Sequence, residues 1–123
     1  MRLSDLQPNW IENGGRRVCF VMKCPHCVAK GVAKPTLLSC AIVPWKDAFP
    51  KVSEEHDFFD ALLPSLGYED YGRCDLIGCK PTIAWTIKSA ESFETISVTP
   101  SLDASNSGHW HGFITNGNIV GGI

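Results

Sequence analysis

Apolar and polar positions alternate over much of this chain, and the places where the alternation breaks mark its elements. Val18-Cys19-Phe20-Val21-Met22 is a short run of β-forming residues between polar flanks, which predicts a strand. Leu37-Leu38-Ser39-Cys40-Ala41-Ile42-Val43 predicts a second. Between them lie Cys24-Pro25-His26-Cys27 and the small, turn-prone residues 28–35. Strand, knuckle and returning strand then make a hairpin of the zinc-ribbon type. Ile83, Trp85 and Ile87 alternate with Ala84, Thr86 and Lys88, the pattern of a half-buried strand, and residues 94–99 repeat it with Ile96 and Val98 inward. Near the end, His109, His111 and Phe113 fall on one face of a strand, and Trp110 and Ile114 on the other. Asn116-Gly117 predicts a tight turn of type I′, whose two central residues both take positive φ, and Asn118-Ile119-Val120 completes that hairpin.

Three stretches break the pattern. Residues 1–16 read as a polar lead-in ending in the turn Asn13-Gly14-Gly15, with Trp10 and Ile11 packed onto the domain. Residues 44–80 read as an insertion. In it Ser53 is a candidate N-cap, Glu54, Glu55 and Asp57 occupy a first helical turn, and Phe58, Phe59, Leu62 and Leu63 form an apolar stripe that Pro64 ends or kinks. Gly67 to Lys80 then predicts an ordered loop carrying Cys74 and Cys79. Residues 100–106 predict another loop. The expected fold is mainly β, of the α+β class: a small antiparallel β sheet or partly open barrel with a zinc-knuckle hairpin and one inserted helix. It forms a single domain over residues 1–123, with 44–80 as the insertion.

Composition narrows the class of protein. With 44% hydrophobic residues and no repeat or low-complexity tract, the chain has the make-up of a globular domain. Charges or prolines interrupt every apolar run before the roughly 18 residues a membrane helix needs. The first residues lack the apolar core of a secretory signal, so a cytoplasmic location and reduced cysteines are expected. The net charge of −2 conceals a division: Arg16, Arg17, Lys23, Lys30, Lys34, Lys46 and Lys51 face only Asp47 in residues 14–51. Residues 53–75 reverse the balance, with Glu54, Glu55, Asp57, Asp60, Glu69, Asp70 and Asp75 against Arg73. Two solvated faces account for this division; a basic face around the Cys24 knuckle that meets phosphate or an acidic partner is the alternative.

Chemistry concentrates at the two ends. Cys24 and Cys27, two residues apart after a strand, have the spacing of half a tetrahedral zinc site. His109 and His111 on one strand face are one candidate for the other half; Cys74 and Cys79 are a second. A third possibility is no metal at all, the cysteines packing as small buried hydrophobes, as Cys19 and Cys40 within the strands are expected to do. His26 and His56 are expected at the surface.

The order of these motifs is similar to that of a family of short bacterial and phage-encoded proteins of unknown function, some misleadingly labelled ammonia monooxygenases. The resemblance rests on Cys24, Cys27, Pro100, Ser101, His111 and Gly117, and covers about half the chain. Family members commonly carry a cysteine near the late histidine, where this chain has His109. The resemblance implies a phage or prophage origin and metal binding, without an established activity.

Several enzyme classes are excluded. A zinc deaminase needs His-x-Glu before Pro-Cys-x-x-Cys, and here the histidines follow the cysteines. No His-Glu-x-x-His segment or glycine-rich phosphate loop is present. A small metal-dependent hydrolase with an open zinc position stays available, with Asp103 as base and Ser101 as orienting group. A closed set of four protein ligands would instead make the Zn2+ structural. The leading expectation is therefore a zinc-stabilised accessory protein acting through a protein partner in host or phage. A zinc-ribbon nucleic-acid-binding module is disfavoured by the acidic segment and the negative net charge.

Overall fold

The strands on either side of the Cys-Pro-His-Cys turn are the centre of the molecule. β2 (Arg16–Lys23) and β3 (Leu37–Ala41) pair antiparallel, Phe20 opposite Cys40 and Lys23 opposite Leu37. Every residue of β3 is buried, as is β2 from Val18 to Met22. That is why their sequences read as continuous apolar runs: both faces of this sheet are covered. The computed structural model of the chain describes residues 1–13, 15–43, 62–68, 74–77, 86–89, 91–103 and 110–121.

β1 (Asn9–Asn13) adds to β2 antiparallel with a bulge at Ile11 and Glu12, and β4 (Cys74–Ile77) adds to β3 in parallel, completing the first sheet in the order β1-β2-β3-β4. The second sheet is β5 (Thr86–Lys88), β6 (Ser97–Asp103), β7 (His111–Thr115) and β8 (Asn118–Val120), antiparallel throughout. The fold is mainly β, and among the described residues the two sheets do not close into a barrel. Phe20, Met22, Leu38 and Cys40 on one face of the first sheet share a core with Val98, Leu102, Trp110 and Ile114 of the second. The opposite face, with Cys19, Val21, Leu37 and Ala41, packs on Ile11, Leu63 and Tyr68.

Three local expectations change. The lead-in is structured: Leu3–Leu6 form a 3-10 turn that buries Leu3 and Leu6, and β1 follows. Two leucines three apart lie on one side of a 3-10 turn, a pattern too short to stand out in the sequence. The segment 74–77, expected as part of a loop, is a strand, because the open edge of β3 accepts its backbone. The segment 100–103, also expected as a loop, belongs to β6, and the pairing with β7 is irregular between Val98 and Leu102. Pro100 lies in that interval and has no N–H to donate, which accounts for the break in the ladder. Residues 63–66 form a 3-10 turn around Pro64, closed by Gly67 at φ 94°. The rest of the expected inserted helix, residues 53–61, and the expected strand positions Ile83 and Trp85 lie outside the described residues, as does His56.

The final turn matches its sequence reading, with Asn116 at φ 49° and Gly117 at φ 72°. The first residues lie along this hairpin: Ile119 N–H donates to the Met1 carbonyl and Leu3 N–H to that of Gly117. The Arg2 guanidinium donates to the Asn118 side chain and to the carbonyls of Asn116 and Glu94. No helix among the described residues is long and apolar enough to cross a membrane.

Candidate metal centre

Cys24 follows β2 directly and caps a five-residue helix, α1 (Pro25–Ala29). Pro25 suits the first helical position, where its fixed φ is helical and its missing N–H costs no hydrogen bond. The knuckle is closed by backbone bonds: Cys24 N–H to the Thr36 carbonyl at 2.8 Å, Val28 N–H to the Cys24 carbonyl at 3.1 Å and Val32 N–H to the Cys27 carbonyl at 3.0 Å. Both cysteines are buried, while His26 between them is half-buried.

The Cys24 sulfur faces the core, and burial pushes its thiol above the ordinary range, with the nearby Cys27 adding to the rise. Against this, the backbone amides of Cys27, Trp110 and His26 act to lower it, by less than burial raises it. An apolar interior tolerates a thiolate only beside a cation, and in a Cys-x-x-Cys knuckle a soft metal ion supplies that charge. Two buried sulfurs at this spacing fit half of a tetrahedral Zn2+ site. Cys24 and Cys27 would be two of its ligands.

Trp110 brings the far end of the chain to this site. Its indole is fully buried in the same cluster as Cys24 and Cys27, and its Nε1–H donates to the Gly121 carbonyl at 2.8 Å. The ring lies across Gly112: a Cβ there would stand 2.6 Å from Cζ2 of the indole. Sequence reasoning assigned Trp110 only to the opposite face from the histidines. The available signal was a glycine two residues after a tryptophan, since those two positions share a strand face.

The other candidate residues divide by position. β7 alternates as its pattern predicts, with His111, Phe113 and Thr115 exposed and Gly112 and Ile114 buried. His111 thus sits on the face of β7 away from the core that holds Cys24. The strand register sets it opposite Asp103 of β6, and Ser101 lies on that same strand. The side chains of Ser101 and Asp103 lie outside the described residues, as do His109 and Cys79. Cys74 begins β4 opposite Leu37, which itself faces Lys23. Two strand spacings separate the backbone of Cys74 from that of Lys23, roughly 10 Å. Cys19 and Cys40 are buried in the strands on opposite sheet faces, and burial pushes the Cys40 thiol well above its ordinary range. Among the described residues, no group of three or more His, Cys, Asp or Glu side chains is placed to hold one ion.

Comparisons with protein-family models, with curated proteins and with solved structures find no match for this chain.

Proposed function

We propose that this is a zinc-binding accessory protein in which the metal is mainly structural and the work is done by binding a protein partner. The observation that carries the metal reading is the Cys-x-x-Cys knuckle after β2, whose two cysteines are both buried. Cys24 and Cys27 supply two ligands. His109, the residue before Trp110, is the nearest candidate for a third, because Trp110 shares a buried core cluster with Cys24 and Cys27. His111 completes the set only if it turns toward the knuckle from its exposed face. The distance of Cys74 along the sheet makes the four-cysteine set, with Cys79, the weaker choice. A structural ion suits the position, because it fastens the β2–β3 hairpin to the second sheet. Partner binding is supported by Phe113 and Val120, paired across β7 and β8 and 47% and 45% exposed. A phage or prophage setting, in the cytoplasm of a bacterial host, follows from the resemblance in motif order alone.

A second reading, a small metal-dependent hydrolase, draws on the register that sets Asp103 opposite His111. It requires an open metal position beside that pair.

Metal analysis of the purified protein tests these readings. One zinc per chain is expected, lost in Cys24→Ser and in His109→Ala. A Cys24→Ser variant that keeps its full metal content refutes the assignment, and loss in Cys74→Ser with retention in His109→Ala transfers the site to the cysteines. Metal-dependent turnover that is abolished by Asp103→Asn would replace the structural role with the hydrolase.

A further inference from the structure

Two cysteines three positions apart on one helical turn have a chemistry of their own beside metal binding. Cys24 is the N-cap of α1 and Cys27 its third helical residue, with Pro25 at the first position. Val28 N–H donates to the Cys24 carbonyl at 3.1 Å, the bond that closes a regular α-helical turn. Residues so placed have Cα atoms about 5 Å apart, inside the roughly 4.4–6.8 Å that a disulfide spans. Burial then separates the two. Both lie in one core cluster, but Cys24 is fully enclosed while Cys27 is 7% exposed. Solvent lies on the Cys27 side of the knuckle: residues 29–34 are exposed, and Val32 among them donates its N–H to the Cys27 carbonyl.

We propose that Cys24 and Cys27 are a thiol–disulfide exchange pair, with Cys27 the entry thiol and Cys24 the buried resolving thiol. The co-reactant is a low-molecular-weight disulfide. Cys27 releases its proton to solvent, and its thiolate attacks one sulfur of that disulfide; a new S–S bond forms, the old one breaks, and one small thiol leaves. Cys24 then loses its proton and attacks the Cys27 sulfur, closing the protein disulfide and expelling the second small thiol. The protein has given up two protons and two electrons, and the small disulfide is reduced to two thiols. Only Cys27 has to meet the reagent, because the second step takes place within the helical turn. The assignment does not rest on the metal reading. A bound ion and the disulfide compete for the same sulfurs, since the ion needs both as thiolates.

The test is incubation of the full chain with oxidised glutathione in the presence of a chelator, followed by acid quench, alkylation of the remaining thiols and peptide mass mapping. Wild type should lose two alkylatable thiols and yield a peptide in which Cys24 and Cys27 are bridged. Cys24→Ser should stop at one glutathione on Cys27. Cys27→Ser should take up glutathione at Cys24 about 10-fold more slowly or less readily still, because an enclosed thiol reacts poorly. A wild type that keeps every thiol, or that bridges Cys24 or Cys27 to a different cysteine, overturns the proposal. Adducts that form equally fast in the two variants overturn the assigned order. If either variant does not fold, a limiting pulse of alkylating reagent on the wild type decides: Cys27 should be labelled before Cys24, and the reverse order refutes the entry role. Zinc content measured before the chelator is added reads the metal-binding proposal separately, so either one can fail while the other stands.

Discussion

Replacing Gly112 by alanine sets local propensity directly against packing. Glycine inside a strand is ordinarily a weakness, and alanine in its place should gain roughly 0.5–1 kcal/mol from the smaller entropy loss on folding. The structure reverses the sign. The new Cβ would stand 2.5 Å from the Val120 carbonyl oxygen and 2.6 and 2.7 Å from two carbons of the Trp110 indole. Comfortable contacts of this kind begin at about 3.5 Å, so both walls must retreat by close to 1 Å. Neither retreats freely: Val120 is held in register opposite Phe113, and the indole is fully buried and bonded to Gly121. Overpacking against such walls costs typically about 1–3 kcal/mol, and two rigid walls place this site at the upper end. A net loss of about 2 kcal/mol remains, or a fall in Tm of roughly 8 °C for a domain of this size. Calorimetry of wild type and variant measures it. Gly121→Ala is the control, since its Cβ meets nothing within 4 Å and only its φ of +76° resists substitution. Left-handed strain of about 1 kcal/mol makes its fall the smaller of the two. A Gly112→Ala protein as stable as wild type, or more so, would refute the packing argument.

Two further outcomes follow from the core. Burial holds the Cys40 thiol well above its ordinary value of 9.0, so the folded chain keeps that proton where the unfolded chain releases it. Stability is therefore full below about pH 9 and declines above it by up to about 1.4 kcal/mol per pH unit. Urea melts from neutral pH to above 10 should show this slope, and Cys40→Ala should flatten it; identical slopes would show that the thiol ionises equally in both states. Ser39 has a buried hydroxyl with no hydrogen-bond partner among the described residues. Ser39→Ala should leave stability unchanged or raise it by roughly 0.5–1 kcal/mol, and a clear loss in the same melts would mean that the hydroxyl has a partner.

Much of the fold was legible in the sequence, because much of it depends on neighbours a few residues apart. The period of two that points successive side chains to opposite faces separated His111 and Phe113 from Trp110 and Ile114. The positive φ that Asn116 and Gly117 accept marked the last turn. The apolar runs around the Cys24 knuckle marked β2 and β3, and the cysteine spacing marked the knuckle itself.

What depended on distant partners was not legible. Residues 74–77 carry no strong strand signal; they pair because β3 has an edge to fill. Leu3 and Leu6 earn their burial from cores assembled far along the chain. Trp110 joins Cys24 and Cys27 in one buried cluster although 83 or more residues separate them in the chain, and no local pattern announces that. By itself the sequence determined which residues could bind a metal and which strand faces they occupy, since spacing and alternation are properties of the local backbone. Only the tertiary structure decided that Trp110 shares the buried core that holds Cys24, while His111 faces outward. That choice depends on how two sheets pack, and on a glycine that leaves room for an indole.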